Sequence, residues 1–294
     1  MKLNRWIPVI AAGGLLFFWS GCTDLKDDLP LPVAPGVNVH PSGWAVPNSS
    51  SFHGDAIRNA DWDMRPCKSC HGASYTGGTA GVSCRTCHTN PTGPEYCTTC
   101  HGGVNNNPAP PKDLNGNIAS TEHGVGAHQR HLTGGGAVTS YTLACSECHV
   151  VPNSVYSPGH VDSPQPAELT FGGLLVFADP SDVPGPPSYN SNDFTCSNTF
   201  CHGTWSLDST SARFPGAYSA ARMLGANRSA LWTGGASEVA CGTCHGTPPT
   251  GHQPAQLSEC GGCHDQIVNT AGKIADKVKH VNGKINVFGQ EWNF

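Results

Sequence analysis

The stretch CSNTFCH, residues 196–202, is the part of the sequence on which the prediction of the fold depends. It places four residues between two cysteines and a histidine directly after the second cysteine. Six other cysteine pairs also precede a histidine, but only two residues separate their cysteines. These six segments are CKSCH (67–71), CRTCH (84–88), CTTCH (97–101), CSECH (145–149), CGTCH (241–245) and CGGCH (260–264).

A Cys-x-x-Cys-His segment is typical of covalent c-type haem attachment. The two sulfurs form thioethers with the porphyrin vinyl groups, and the adjacent histidine binds the iron as its proximal ligand. Residues 196–202 keep Cys201 next to His202, so we predict a seventh haem there, with the two extra residues bulging outward between the sulfurs. The predicted haem-binding cysteines are Cys67, Cys70, Cys84, Cys87, Cys97, Cys100, Cys145, Cys148, Cys196, Cys201, Cys241, Cys244, Cys260 and Cys263. The predicted proximal ligands are His71, His88, His101, His149, His202, His245 and His264.

Cysteine pairs of this kind have three other interpretations: structural zinc, a thioredoxin-like redox pair, and structural disulfides. None of them explains why a histidine follows every pair. Zinc sites would also need sets of four ligands around loops of fairly constant length, whereas the spacings between successive motif histidines are 17, 13, 48, 53, 43 and 19 residues. The sequence therefore favours covalent haem.

Eight histidines lie outside the seven motifs and are candidates for the distal position on iron. They are His40, His53, His123, His128, His131, His160, His252 and His280, of which His40 and His123 are the weakest candidates. Methionine can supply few distal ligands, because only Met64 and Met223 remain once a signal peptide is removed. We therefore predict bis-histidine ligation throughout. His128 and His131 are three residues apart, so on a helix they would share a face and serve two neighbouring haems; which distal histidine serves which iron stays open.

The two axial positions decide between two functions. An iron with strong ligands on both sides carries electrons, whereas one with an open side binds and activates a small molecule. Enough histidines are present to close every site, so we predict an electron-transfer protein and not an enzyme. The alternative is a multihaem reductase of nitrite, hydroxylamine or a sulfur oxyanion, which needs at least one iron with a vacant face.

Composition indicates an unusual interior. Hydrophobic residues make up 37% of the chain, with 36 Gly and 24 Pro, against roughly 45–50% apolar residues in ordinary globular domains. We predict a mostly irregular, loop-rich multihaem cytochrome c fold with a haem stack as its core, a few short helices and a minor β-hairpin. Tryptophans such as Trp232 are expected to pack against porphyrin faces. The expected elements are a strand or hairpin over 167–179, a helix over 221–232, a helix from Asp265 to the residue before Gly283, and a strand over 284–288.

The amino terminus predicts export. Residues 1–21 have a basic start, an apolar stretch and a small-residue cleavage site, which together are typical of a lipoprotein signal peptide. Cys22 would then carry the lipid anchor, and residues 22–51 form a flexible tether. We predict a four-haem region over 52–165 and a three-haem region over 166–294, with the boundary in the long loop between them. The formal net charge of −5 argues against a nucleic-acid partner.

The whole pattern resembles the multihaem c-type cytochromes of dissimilatory metal-reducing bacteria, in particular those with one CxxxxCH among CxxCH motifs. The resemblance rests on CSNTFCHG (196–203), CGTCHGTPPTGH (241–252), CGGCH (260–264), VGAHQRHL (125–132) and SPGHVD (157–162), and covers roughly residues 38–294. It implies an exported protein, lipid-anchored at the outer membrane or cell surface, with a periplasm-facing position as the alternative. It also implies electron transfer to metal oxides, partner cytochromes or porin–cytochrome components.

Overall fold

The structure is a computed structural model that describes residues 39–102, 112–134, 139–162, 167–176 and 185–293. The predicted signal peptide (1–21) and Cys22 lie outside these residues. The chain divides into two compact units, Met1–Asp55 and Ala56–Phe294. In the first unit, residues 39–51 form consecutive turns, in which the Val46 amide donates to the Gly43 carbonyl at 2.9 Å. Across the described ranges, no helix has the length and apolar character needed to cross a membrane.

The α-helices in the described ranges are short, and the longest of them has seven residues. They are α1 (His53–Asn59), α2 (Lys68–His71), α3 (Cys97–His101), α4 (His128–Thr133) and α5 (Cys260–Cys263). Isolated helices below about 12–15 residues are marginal in water, so these turns depend on tertiary contacts. Three of the five coincide with a cysteine motif, which places the regular structure where the predicted cofactor would attach.

Seven short strands form three small antiparallel sheets in the described residues. The strands are β1 (Ser188–Asn190), β2 (Thr195–Ser197), β3 (Ser206–Asp208), β4 (Arg222–Leu224), β5 (Ala230–Leu231), β6 (Lys284–Val287) and β7 (Gln290–Asn293). The sheets have the orders β1-β2-β5, β3-β4 and β6-β7. The predicted strand over 284–288 is confirmed as β6. It forms a hairpin with β7 through Phe288 and Gly289, both with positive φ, as a two-residue hairpin turn requires.

The helix predicted from Asp265 to the residue before Gly283 is wrong, because this segment folds as turns joined by a bridge between Val268 and Ile274. Side chains compete with the helical hydrogen bonds. The Asn269 side-chain oxygen accepts two downstream backbone N–H groups at 3.0 Å each. The Asp265 carboxylate, expected to cap a helix, accepts from the Gly289 amide at 3.1 Å instead.

The helix predicted over 221–232 is also wrong, since the segment supplies β4 and β5. Between the two strands, the backbone forms hydrogen bonds with two cysteine motifs. The Ala226 amide donates to the Cys244 carbonyl at 2.9 Å, and the Arg228 amide donates to the His202 carbonyl at 3.1 Å. These long-range bonds replace the helical ones, because the segment lies between motifs that are distant in sequence.

The strand or hairpin predicted over 167–179 is not found in its described part, residues 167–176, which contain a 3-10 turn at Gly173–Leu175. The segment instead lies along the fourth cysteine motif. The Thr170 amide donates to the Cys148 carbonyl at 2.9 Å, and the Gly172 amide donates to the Glu147 carbonyl at 3.0 Å. The positive φ of Gly173 ends the extended stretch.

The second unit contains a large cavity, and few hydrophobic side chains are fully buried among its described residues. The buried hydrophobic residues are Met64, Tyr75, Val125, Leu175, Phe200, Met223, Ala230 and Ile267. The cavity measures about 3700 Å³, several times the roughly 300–1,000 Å³ of a site for one small ligand. Five of the seven cysteine motifs contribute to its lining, and the other two are CKSCH and CRTCH. This architecture agrees with the predicted irregular, loop-rich fold.

Candidate metal centres

The cysteine motifs share a local geometry. In three of them, the histidine amide donates to the carbonyl of the first cysteine, at 3.0 Å for His88, 2.9 Å for His149 and 2.8 Å for His264. This bond closes one helical turn. Residues three and four apart lie on the same side of such a turn, so both sulfurs and the imidazole are presented together.

The CSNTFCH segment reaches a similar arrangement by another route. Cys196 lies in β2, opposite Tyr189 of β1 and Ala230 of β5. Cys201 lies in a separate 3-10 turn, Phe200–His202. Asn198, with a φ of 58°, turns the chain between the two cysteines. A strand and a 3-10 turn therefore present Cys196 and Cys201, whereas a single helical turn presents the cysteines of the shorter motifs described above.

The expectation that the extra residues bulge outward is wrong. Thr199 is 3% exposed and Phe200 is 5% exposed, so both side chains point into the protein. Asn198, whose φ is positive, turns the chain directly before these two residues. The longer spacing thus supplies two core residues.

Three of the motif thiols lack the lowered pKa of a reactive dithiol. Burial raises the pKa of Cys148 and of Cys196 to about 11 and the pKa of Cys201 to about 12. Redox-active Cys-x-x-Cys pairs depend on a lowered pKa, because the thiolate is the nucleophile. The fourteen motif cysteines are also separate thiols without disulfide bonds. Neither the redox-pair nor the disulfide interpretation is supported by these residues.

Four motif histidines face four of the predicted distal histidines. In each pair the two imidazole rings are 5.9–6.4 Å apart, measured between ring centroids. The pairs are His101–His160 (5.9 Å), His128–His149 (6.3 Å), His131–His202 (6.4 Å) and His245–His280 (6.3 Å). Each pair joins one proximal candidate to one distal candidate.

This spacing fits a metal ion between the rings. A histidine nitrogen binds a metal ion at about 2.0–2.1 Å, so two rings on opposite sides of one ion have centroids roughly 6 Å apart. Direct stacking would bring the rings closer, as in His40 on Trp44 at 4.5 Å. In the described part of the chain, no group of three or more His, Cys, Asp or Glu side chains could hold a metal ion. At each of these four candidate centres, the structure brings together a pair of imidazoles.

Backbone carbonyls fix which ring nitrogen is available. The Nδ1 of His149 lies 3.1 Å from the Glu168 carbonyl, and the Nδ1 of His128 lies 2.9 Å from the Val125 carbonyl. A carbonyl only accepts, so Nδ1 carries the proton and Nε2 keeps the lone pair that binds metal. The same contact is made by His53, His71, His131, His160, His245, His252 and His264.

Burial favours the neutral form of four of the paired imidazoles. It lowers the pKa of His202 to about 4, and it also lowers the pKa of His101, His128 and His131. Only the neutral ring binds a metal ion through nitrogen. These four rings are therefore in the metal-binding form at neutral pH.

The other predicted ligands are placed less directly. In the first unit, His53 donates through Nδ1 to the Trp44 carbonyl at 2.8 Å, and His40 stacks on the Trp44 ring. His123 stacks on Phe194, with ring centroids 3.2 Å apart. As haem ligands, the motif histidines His71, His88 and His264 and the distal candidates His40, His53, His123 and His252 stay predictions.

Trp232 has a position that the sequence did not predict. Its indole lies against two distal histidines, parallel to the His131 ring at 5.6 Å and edge-on to the His128 ring at 4.8 Å. The expectation was contact with porphyrin faces. No local pattern around Trp232 indicates a contact with α4, because the two segments are far apart in sequence.

Comparison with known proteins gives one match. Residues 195–245 match the family described as Geobacter CxxxxCH...CXXCH motif. The matched residues begin just before CSNTFCH and end at His245, so they contain both the long and a short cysteine motif. The match is consistent with a multihaem c-type cytochrome. No curated protein and no solved structure matches the chain.

Proposed function

We propose that the chain is a seven-haem c-type cytochrome that relays electrons from the periplasm or outer membrane to extracellular acceptors. The observation that carries the proposal is the set of four imidazole pairs at 5.9–6.4 Å, each directly joined to a cysteine motif. The match of residues 195–245 supports the coarser statement that the protein is a multihaem cytochrome in electron transfer.

The residues fit haem in three respects. The cysteine pairs supply thiols for thioethers, the histidines supply Nε2 on two sides, and the cavity is large enough for several macrocycles. When bound, haem iron alternates between the ferric and ferrous states and so carries one electron. The protein's part is to hold both imidazoles in place and to exclude other ligands from the iron.

The imidazole pairs favour a relay over a reductase. With iron bound to the motif histidine of a pair, the distal ring would take the position at which a small substrate has to bind. A haem closed on both sides carries electrons without activating a ligand. Neutral nitrogen ligands on both sides also lower the reduction potential relative to a His/Met pair, which suits delivery to low-potential acceptors.

One experiment tests the haem count and the ligation together. The mature protein, purified from a host with the c-type maturation machinery, should gain the mass of seven haems, confirmed by the pyridine haemochrome assay. Its oxidised spectrum should be low-spin, and the reduced protein should not bind carbon monoxide. Fewer than seven haems, or an iron that readily binds carbon monoxide, would contradict the proposal.

The location and partners form the second part of the proposal. A lipid on Cys22 would hold the protein at the outer membrane, facing the surface or the periplasm, where partner cytochromes or porin–cytochrome components exchange electrons with it. Replacing Cys22 with alanine should move the protein from the membrane fraction to the soluble fraction while the haem content stays the same. A Cys22→Ala variant that remains in the membrane fraction argues against the anchor.

A further inference from the structure

Helix α4 brings two of the centres together. His128 and His131 lie on this six-residue helix, and they pair with motif histidines from two different segments, His149 and His202. Residues three apart share one face of a helix. Irons bound at 145–149 and 196–202 would therefore be neighbours, and this one helical turn would supply the distal ligand of both. This step rests on the proposed function.

Trp232 contacts both histidines of α4. Its ring is parallel to the His131 ring, with an interplanar angle of 4°, and perpendicular to the His128 ring, with an angle of 89°. The indole Nε1–H donates to the His123 carbonyl at 2.8 Å, which fixes the rotation of the side chain. A Cβ at Gly126, two residues before the helix, would overlap the indole, so only glycine leaves room for Trp232 at this position.

The two pairs on α4 differ in the angle between their rings. The His128 and His149 planes are 25° apart, whereas the His131 and His202 planes are 73° apart. The other two assigned pairs fall into the same two groups, at 33° for His101–His160 and 65° for His245–His280. Each axial imidazole interacts with the iron d orbital perpendicular to its own plane. When the two ring planes are nearly parallel, both rings act on the same d orbital, so that orbital and its perpendicular counterpart differ in energy. When the planes are nearly perpendicular, each ring acts on a different d orbital, and the two orbitals stay close in energy.

We propose that Trp232 is a positioning residue that sets the ring planes of the distal ligands His128 and His131. By stacking on His131 it holds that ring nearly perpendicular to His202, and by its edge contact it holds His128 nearly parallel to His149. The support of a ligand by the residues around it tunes a metal centre without adding a ligand. Trp232 thereby gives two adjacent irons different electronic structures.

Electron paramagnetic resonance of the oxidised holoprotein tests this directly. The wild-type protein should show two classes of low-spin signal, a rhombic class from near-parallel pairs and a strongly anisotropic class from near-perpendicular pairs. In Trp232→Leu the anisotropic class should lose the intensity of one iron, which should reappear in another low-spin signal. The haem content should stay at seven.

A matched control and a milder variant complete the design. Trp292→Leu removes a tryptophan that packs on Phe214 at 5.5 Å, and its spectrum should equal that of the wild type. Trp232→Phe keeps an aromatic ring but loses the bond to the His123 carbonyl, so it should produce a smaller shift of the same signal. This variant decides the question if Trp232→Leu fails to accumulate.

Two results separate the inference from the proposed function. Unchanged signals in both Trp232 variants, at full haem content and with low-spin irons, overturn the positioning role alone. High-spin irons or missing haems in the wild-type protein overturn the proposed function itself.

Discussion

Replacing His160 with alanine should open one iron in the protein and leave the others closed. His160 faces His101 with ring centroids 5.9 Å apart, and its Nδ1 lies 2.8 Å from the Val155 carbonyl. This contact places the proton on Nδ1 and leaves the lone pair on Nε2, the nitrogen that would bind iron. Alanine removes every atom beyond Cβ, so the iron attached at 97–101 would keep only His101 as a protein ligand.

The size of the expected spin-state change follows from the number of haem irons. One iron in seven, about 14% of the total, should change from low-spin to high-spin in the oxidised protein. The same fraction should bind carbon monoxide after reduction. The other assigned pairs draw their distal ligands from α4 and from His280, which this substitution does not touch.

The assay combines two measurements on the same sample. The haemochrome assay gives total haem, and the integrated high-spin signal together with the carbon monoxide difference spectrum gives the fraction of open irons. Asn153→Ala, an exposed change in the same loop, should leave both signals at the wild-type level. A His160→Ala protein with full haem content and no high-spin iron would refute the pairing. Conversion of two or more irons would show that His160 does not serve a single centre.

Two further predictions concern the extra residues of CSNTFCH. Phe200→Ala should destabilise the protein by about 3–5 kcal/mol, because Phe200 is only 5% exposed. The expected fall in Tm is roughly 6–20 °C. As a control, Ile118→Ala, at a residue 76% exposed, should change the free energy of unfolding by less than about 0.5 kcal/mol. Similar Tm values for the two variants by calorimetry would contradict the inward orientation of Phe200. Thr199→Val should stabilise the protein by about 1 kcal/mol, because the buried Thr199 hydroxyl finds no hydrogen-bond partner among the described residues. Thr199→Ser keeps that hydroxyl and should lower the Tm in the same calorimetric scan, so a lower Tm for the valine variant than for the serine variant would show that the hydroxyl is satisfied.

The candidate site was largely predictable from the sequence because its chemistry is local. A cysteine pair and its histidine occupy one turn, and the structure forms that turn at Cys84, Cys145 and Cys260 through a bond to the following histidine. The distal candidates were found by counting histidines. The pairing was not predictable, since nothing near His131 indicates that its partner is His202. Such contacts depend on how the loops cross in space.

The irregular parts were predicted less well, for a different reason. Apolar residues at helical spacing after Asp265 suggested a helix, but Asn269 and Asp276 bind downstream amides with their side chains and form turns instead. In a chain with a small apolar core, such local bonds are not outweighed by packing of a helix face. The burial of Thr199 and Phe200 depends on tertiary contacts, such as that between the Gly173–Leu175 turn and the Phe200–His202 turn.

The imidazole pairs also have a topological consequence. With iron between its two rings, each pair would act as a cross-link that closes a loop of backbone. Three of these loops overlap in sequence. The loop 128–149 is nested within 101–160, and the loop 131–202 begins inside both and ends outside them. Closing loops in this way removes conformational entropy from the unfolded chain. Residues 101–202 should therefore unfold as one cooperative segment, which extends across the predicted boundary at 165 and ties the two haem regions to each other.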